Sequence, residues 1–221
     1  MIGPRSVNML RAGLRPLSVA ALVGFASTCH AQSAANVQDT ADGAESPFIA
    51  TCVACHGALG AGTVTGGPRL AGKDPDYLAH ALSMFKAGTR RSAVMQTVAL
   101  TLSDSEIREL ATFFSKQDPP FAEGAPPQQS LVLAGKQLAE TGTGSDIPAC
   151  FSCHAAGGKG NGARFPSIAG EPAAFVVARL HEFQARAKGK TPAPGTMTAV
   201  AATLNDAQIE AVAAYLSVTG P

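Results

Sequence analysis

Hydrophobic and polar positions recur with a helical period along much of this 221-residue chain. Ile107, Leu110, Ala111 and Phe114 stand at i, i+3, i+4 and i+7, and so do Ile209, Val212, Ala213 and Leu216. Each stripe follows a polar start of capping-box form, Ser103-x-x-Glu106 and Asn205-x-x-Gln208, which marks where the helix begins. Asp74 to Ala87 and Glu171 to Ala187 are amphipathic as well, with Pro75 and Pro172 near the first turn, where a missing N–H costs little. A helix further upstream in each half is expected over Ser46 to Cys52 and over Leu131 to Glu140. No stretch alternates with the period of two that a half-buried strand requires, so the fold class is all-α.

The pattern occurs twice. A shift of 98 carries Cys52 to Cys150, His56 to His154, Tyr77 to Phe175 and Phe85 to Phe183. From Met95 onward the shift is 102, carrying Met95 to Met197, Leu102 to Leu204 and Ile107 to Ile209, so the second copy gains four residues between Phe183 and Met197. An internal repeat of this length predicts tandem domains: residues 32–118, a Pro-rich linker over 119–127, and residues 128–221. The connector from Gln117 to Pro127 cannot continue a helix and should run extended.

Residues 1–31 have the form of a secretory signal: Arg5, Arg11 and Arg15, a short apolar core from Leu17 to Ala26, and small residues before Gln32. Cleavage after Ala35 fits too. The apolar run is short for a bilayer span, and the mature chain is expected to be exported and soluble, in the periplasm. Removing the three arginines turns the net charge of +1 into −2. There is no clustered basic excess of the kind a nucleic-acid binder shows. Arg179, Arg186, Lys188 and Lys190 read as the solvated end of a helix, with a docking patch as the alternative.

Both copies carry C-x-x-C-H: Cys52-Val53-Ala54-Cys55-His56 and Cys150-Phe151-Ser152-Cys153-His154. This spacing is the attachment signature of c-type haem, in which two thiols on one helical turn bond to the porphyrin edge and the next residue is carried beneath the iron. A zinc site would need further Cys or His partners. Cys29 leaves with the signal, however, and no Cys remains outside the two motifs. A thioredoxin-like dithiol would leave the histidine after both motifs unexplained. Two covalently held haems are the cofactors implied, and they would supply much of the core of two small domains.

One face of each iron is then left for a distal ligand. Met84 aligns with Glu182 and reads as packing, whereas Met95 aligns with Met197, both in what reads as irregular chain ahead of the last helix. A thioether there raises the reduction potential and closes the site, as electron transfer requires. His80 and His181 do not align with each other and read as surface residues.

Several segments besides the haem motifs resemble the two-haem cytochrome c4 family. They are Pro68-Arg69-Leu70-Ala71-Gly72 and Pro166-Ser167-Ile168-Ala169-Gly170, the helix ending in Phe85-Lys86-Ala87-Gly88-Thr89-Arg90, and Met95 and Met197 with Leu-Ser/Asn-Asp seven residues on. The resemblance implies two class I cytochrome c domains with facing haems, and axial pairs His56 with Met95 and His154 with Met197. It gives Pro68 and Pro166 the role of orienting the proximal imidazoles through their carbonyls. It also implies an electron carrier rather than an enzyme, working between a redox donor and a terminal oxidase or other acceptor, with peripheral membrane association left open. The rival readings are the cytochrome subunit of a periplasmic dehydrogenase, and a two-haem enzyme of peroxidase or thiosulfate-oxidising type. The longer loop from Lys188 to Pro192 is a departure from the family pattern.

Overall fold

The computed structural model describes residues 48–122, 124–144 and 146–220, all within one compact unit. The segment read as a signal and the lead that follows it lie outside the described residues. The first repeat contains α1 (Ile49–His56), α2 (Pro75–Lys86), α3 (Ala93–Leu100) and α4 (Asp104–Ser115). The second contains α5 (Gln129–Thr141), α6 (Phe151–His154), α7 (Ala173–Ala187), α8 (Met197–Ala202) and α9 (Asp206–Val218). A one-turn 3₁₀ helix follows each motif, at Ala58–Gly60 and Ala156–Gly158. Among the described residues there is no β-strand, only an isolated bridge between Asn161 and Phe165.

The capping boxes form as expected. Ser103 Oγ accepts the Glu106 N–H while Glu106 Oε2 accepts the Ser103 N–H, and Asn205 and Gln208 exchange the same pair of bonds. Below them α4 buries Ile107, Leu110, Ala111 and Phe114 against Leu78 and Leu102. In the second repeat α9 buries Ile209, Val212, Ala213 and Leu216 against Leu138, Val176 and Leu180. Helix α5 approaches α9 through Gly135, where a Cβ would lie 2.0 Å from the Ala211 carbonyl oxygen.

Two expectations need correction. The first helix does not precede the first motif: it starts at Ile49 and carries the motif through to His56. The segments holding the paired methionines are not irregular. Met95 lies inside α3, whose N-cap Ser92 accepts the Met95 N–H at 3.3 Å, and Met197 opens α8, whose N-cap Thr196 accepts from Ala199 at 3.3 Å. These helices are short and largely apolar, so a single-face polar pattern never develops, and a hydroxyl cap starts them instead.

The connector is non-helical but fastened. The Arg69 guanidinium donates to the Pro119 carbonyl at 2.8 Å and lies over the Phe121 ring, while Phe121 packs where Gly170 has no Cβ. Arg69 is itself buried.

Candidate haem sites

Helix α1 places Cys52, Cys55 and His56 on one turn, and α6 with its preceding residue does the same for Cys150, Cys153 and His154. Both histidines are buried. His56 Nδ1 lies 2.9 Å from the Pro68 carbonyl and His154 Nδ1 lies 2.7 Å from that of Pro166. A carbonyl only accepts, so Nδ1 carries the proton and Nε2 keeps its lone pair. Burial pushes both imidazoles below the ordinary histidine range. At His56 the Pro68 carbonyl and then the Glu171 charge oppose it, while at His154 the Pro166 carbonyl opposes it and the Lys73 charge reinforces it. Each imidazole is thus neutral, oriented and equipped to ligate a metal at Nε2. Burial also raises both leading thiols, Cys150 to about 11.

A cavity of about 370 Å³ borders the first motif. Cys52, Cys55, His56, Pro68 and Met95 line it together, and Leu78, Phe85, Leu110 and Phe114 give it apolar walls. Met84 is not among its lining residues, and His80 is exposed. In the second repeat Cys150, Phe151, Ile168 and Met197 pack against a single core cluster, and His181 is exposed. A planar apolar macrocycle with a covalent edge fits the first site: thiols at one border, an imidazole nitrogen, a thioether and apolar walls.

Four polar residues were not legible as part of these sites. Arg90 is buried, with its guanidinium 4.6 Å from the Phe85 ring centroid and no carboxylate paired to it among the described residues. Arg179, expected at a solvated helix end, instead lines the first repeat's cavity, stacked on Phe183 and paired with Glu182. It reaches there because α7 packs beside the first repeat, which the one-dimensional pattern does not reveal. Lys188 and Lys190 are exposed as expected. Lys73 and Glu171, the other two, form a buried ion pair between the repeats. Aligning the copies could have flagged that pair, since the two residues occupy equivalent positions with opposite charge.

The family model for cytochrome c matches residues 132–219, and that for cytochrome c oxidase, cbb3-type, subunit III matches residues 38–114. Cytochrome c4 of Thiocapsa roseopersicina is 34% identical, across 85% of this chain and 96% of that protein. The chain belongs to the two-haem cytochrome c4 family. Like its relatives, this cytochrome carries two covalently bound haem c groups and serves electron transfer. The solved cytochrome c4 of Acidithiobacillus ferrooxidans superposes with a TM-score of 0.66 at 31% identity, covering 76% of this cytochrome and 98% of that chain. The thiosulfate dehydrogenase electron acceptor of Thiomonas intermedia is 39% identical, over 77% of this cytochrome and 79% of that protein. Among the described residues, no helix is long and apolar enough to cross a membrane.

Proposed function

We propose that this cytochrome is a periplasmic shuttle that takes electrons from a respiratory-chain donor and delivers them to a terminal oxidase or other acceptor. The observation that carries the reading is the presence of His56 and Met95 in one apolar cavity, with the imidazole already held by Pro68. On this reading Cys52, Cys55, Cys150 and Cys153 would bond covalently to the two haems, with His56 and Met95 holding one iron and His154 and Met197 the other. Once bound, each haem supplies a one-electron ferric–ferrous couple. Pro68 and Pro166 fix ring tautomer and orientation, so the ligands need not rearrange when the charge at the iron changes. The apolar walls exclude water, and Arg90 and Arg179 offer guanidinium groups to the carboxylates of the macrocycle. With Met95 and Met197 holding the two irons, no position would be open to a substrate, which would separate a carrier from a two-haem enzyme.

Carbon monoxide added to the fully reduced holoprotein tests this. Neither iron should take up the gas in the parent chain, while Met95→Ala and Met197→Ala should each open one, giving one equivalent bound per chain in the visible spectrum. Uptake by the parent chain would overturn the closed-site reading and favour the enzyme.

A second reading, the acceptor partner of a periplasmic dehydrogenase, is favoured by the 39% identity to a thiosulfate dehydrogenase electron acceptor. It predicts that thiosulfate with catalytic amounts of a thiosulfate dehydrogenase reduces both haems of the oxidised holoprotein. The α-band absorbance reports this, and a rate no faster than with thiosulfate alone would rule out that donor.

A further inference from the structure

The repeats meet through equivalent positions. Lys73 and Glu171 stand 98 residues apart at the same place in the two copies, and their side chains pair at 2.5 Å with only 6% and 5% exposed. Burying two charges is costly, and a neutral pair of similar shape would hold the same contact as well or better. The signs of the charges therefore call for a use beyond adhesion.

Each side chain reaches further. Glu171 Oε2 accepts the Arg69 N–H at 3.0 Å. That N–H belongs to the peptide joining Pro68 to Arg69, whose carbonyl holds His56 Nδ1 at 2.9 Å. Carboxylate, peptide and imidazole thus form one chain of hydrogen bonds running from the second repeat into the first. An anion on the N–H side of a peptide pushes electron density onto its carbonyl oxygen, and bonds in such a chain strengthen one another. A carbonyl that pulls harder on the Nδ1 proton makes Nε2 a more basic ligand, which favours ferric iron.

The other direction carries the opposite sign. Lys73 Nζ donates to the Ser167 carbonyl at 2.8 Å, one peptide beyond the Pro166 carbonyl that holds His154. A cation held on the segment that carries Pro166 disfavours the ferric state of the second haem.

We propose that Lys73 and Glu171 form a crossed pair that sets the two haem potentials apart, with Glu171 lowering that of the first repeat and Lys73 raising that of the second. The pair biases an electron to leave a ferrous first haem and reduce a ferric second one, with no proton moved. Both act as positioning residues, Glu171 through the peptide that holds His56 and Lys73 as a cation one peptide away from the carbonyl that holds His154. The proposal rests on the reading of His56 and His154 as those ligands.

The test is a spectroelectrochemical titration of the holoprotein, with Met95→His used to identify the first haem's component. If that variant moves neither component, the ligand reading has failed, independently of this proposal. Glu171→Gln keeps an oxygen to accept the Arg69 N–H and removes the charge. At fixed ambient potential it should raise the first haem's reduced-to-oxidised ratio about tenfold, which is about 59 mV for a one-electron couple. The second component should move much less. Lys73→Gln combined with Glu171→Gln should also lower the second component and draw the two together. The His56 Nδ1–H resonance of the reduced protein should shift upfield as its bond weakens. Equal shifts of both components, or none in either, would overturn the proposal. If Glu171→Gln fails to retain two haems, Glu171→Asp keeps the charge but shortens the reach to Arg69. It should raise the first component alone by a smaller factor, and no change there would equally overturn the proposal.

Discussion

Replacing Cys150 and Cys153 together with serine is expected to leave one haem per chain instead of two, with the second repeat losing most of its helix. Oxygen at those positions forms no thioether, and His154 and Met197 would then hold by coordinate bonds only a group that is free to leave. Without the macrocycle, Phe151, Ile168 and Met197, which pack against the core formed by Leu138, Leu180 and Ile209, would lose an apolar neighbour. Domains of this size bury too little apolar surface to fold comfortably with such a loss. The first haem should remain, because Cys52, Cys55 and His56 sit on a separate helix with its own core of Leu78, Ile107, Leu110 and Phe114. Pyridine haemochrome per mole of chain, with far-ultraviolet circular dichroism, checks both halves of the expectation. A variant still holding two haems would show that the second motif does not anchor one.

The second large effect is expected at Gly135. In a helix interior, glycine to alanine gains about 1 kcal/mol of intrinsic propensity, so a reading of α5 alone predicts stabilisation. The structure reverses the sign. An added Cβ would meet the Ala211 carbonyl oxygen at 2.0 Å and the Tyr215 Cβ at 2.8 Å, both on α9. Backbone cannot turn aside as a flexible side chain does, so α5 and α9 must separate, which also strains the bond of 2.8 Å from the Tyr215 hydroxyl to Glu140. Overpacking of this kind costs about 1–3 kcal/mol, occasionally more. Gly135→Ala should therefore be destabilised despite its better propensity, and Gly135→Val by about 3 kcal/mol, at the upper end of that range. Urea denaturation of the holoprotein, followed by helical ellipticity, reads both. A stabilised Gly135→Ala chain would show that the helices are free to part.

Much of this was visible in one dimension because it is locally encoded. Two thiols and an imidazole must share one helical turn to serve one haem, so C-x-x-C-H announces itself wherever it stands. The capping boxes of α4 and α9 are closed by residues three apart, and both formed as read. The duplication was legible too, from the alignment of Met95 with Met197 and Pro68 with Pro166. What failed locally was α3 and α8, too short and too apolar for periodicity to declare them.

The other features depend on distance in space. Arg179 looked like a surface cation because its own helix supplies no reason to bury it; the reason lies in the cavity of the first repeat. Gly135 looked like a weak point in a helix until α9 was set against it. Lys73 carried no assigned role and Glu171 read only as a helix start, whereas the folded chain pairs them between the repeats and starts α7 at Ala173. The long capped helices, the repeat and the haem-attachment motifs could be read from the chain alone, since each is encoded within a few neighbouring residues or by their recurrence. Which residues face each other between the repeats emerged from the folded chain, because that depends on how two separately encoded surfaces come together.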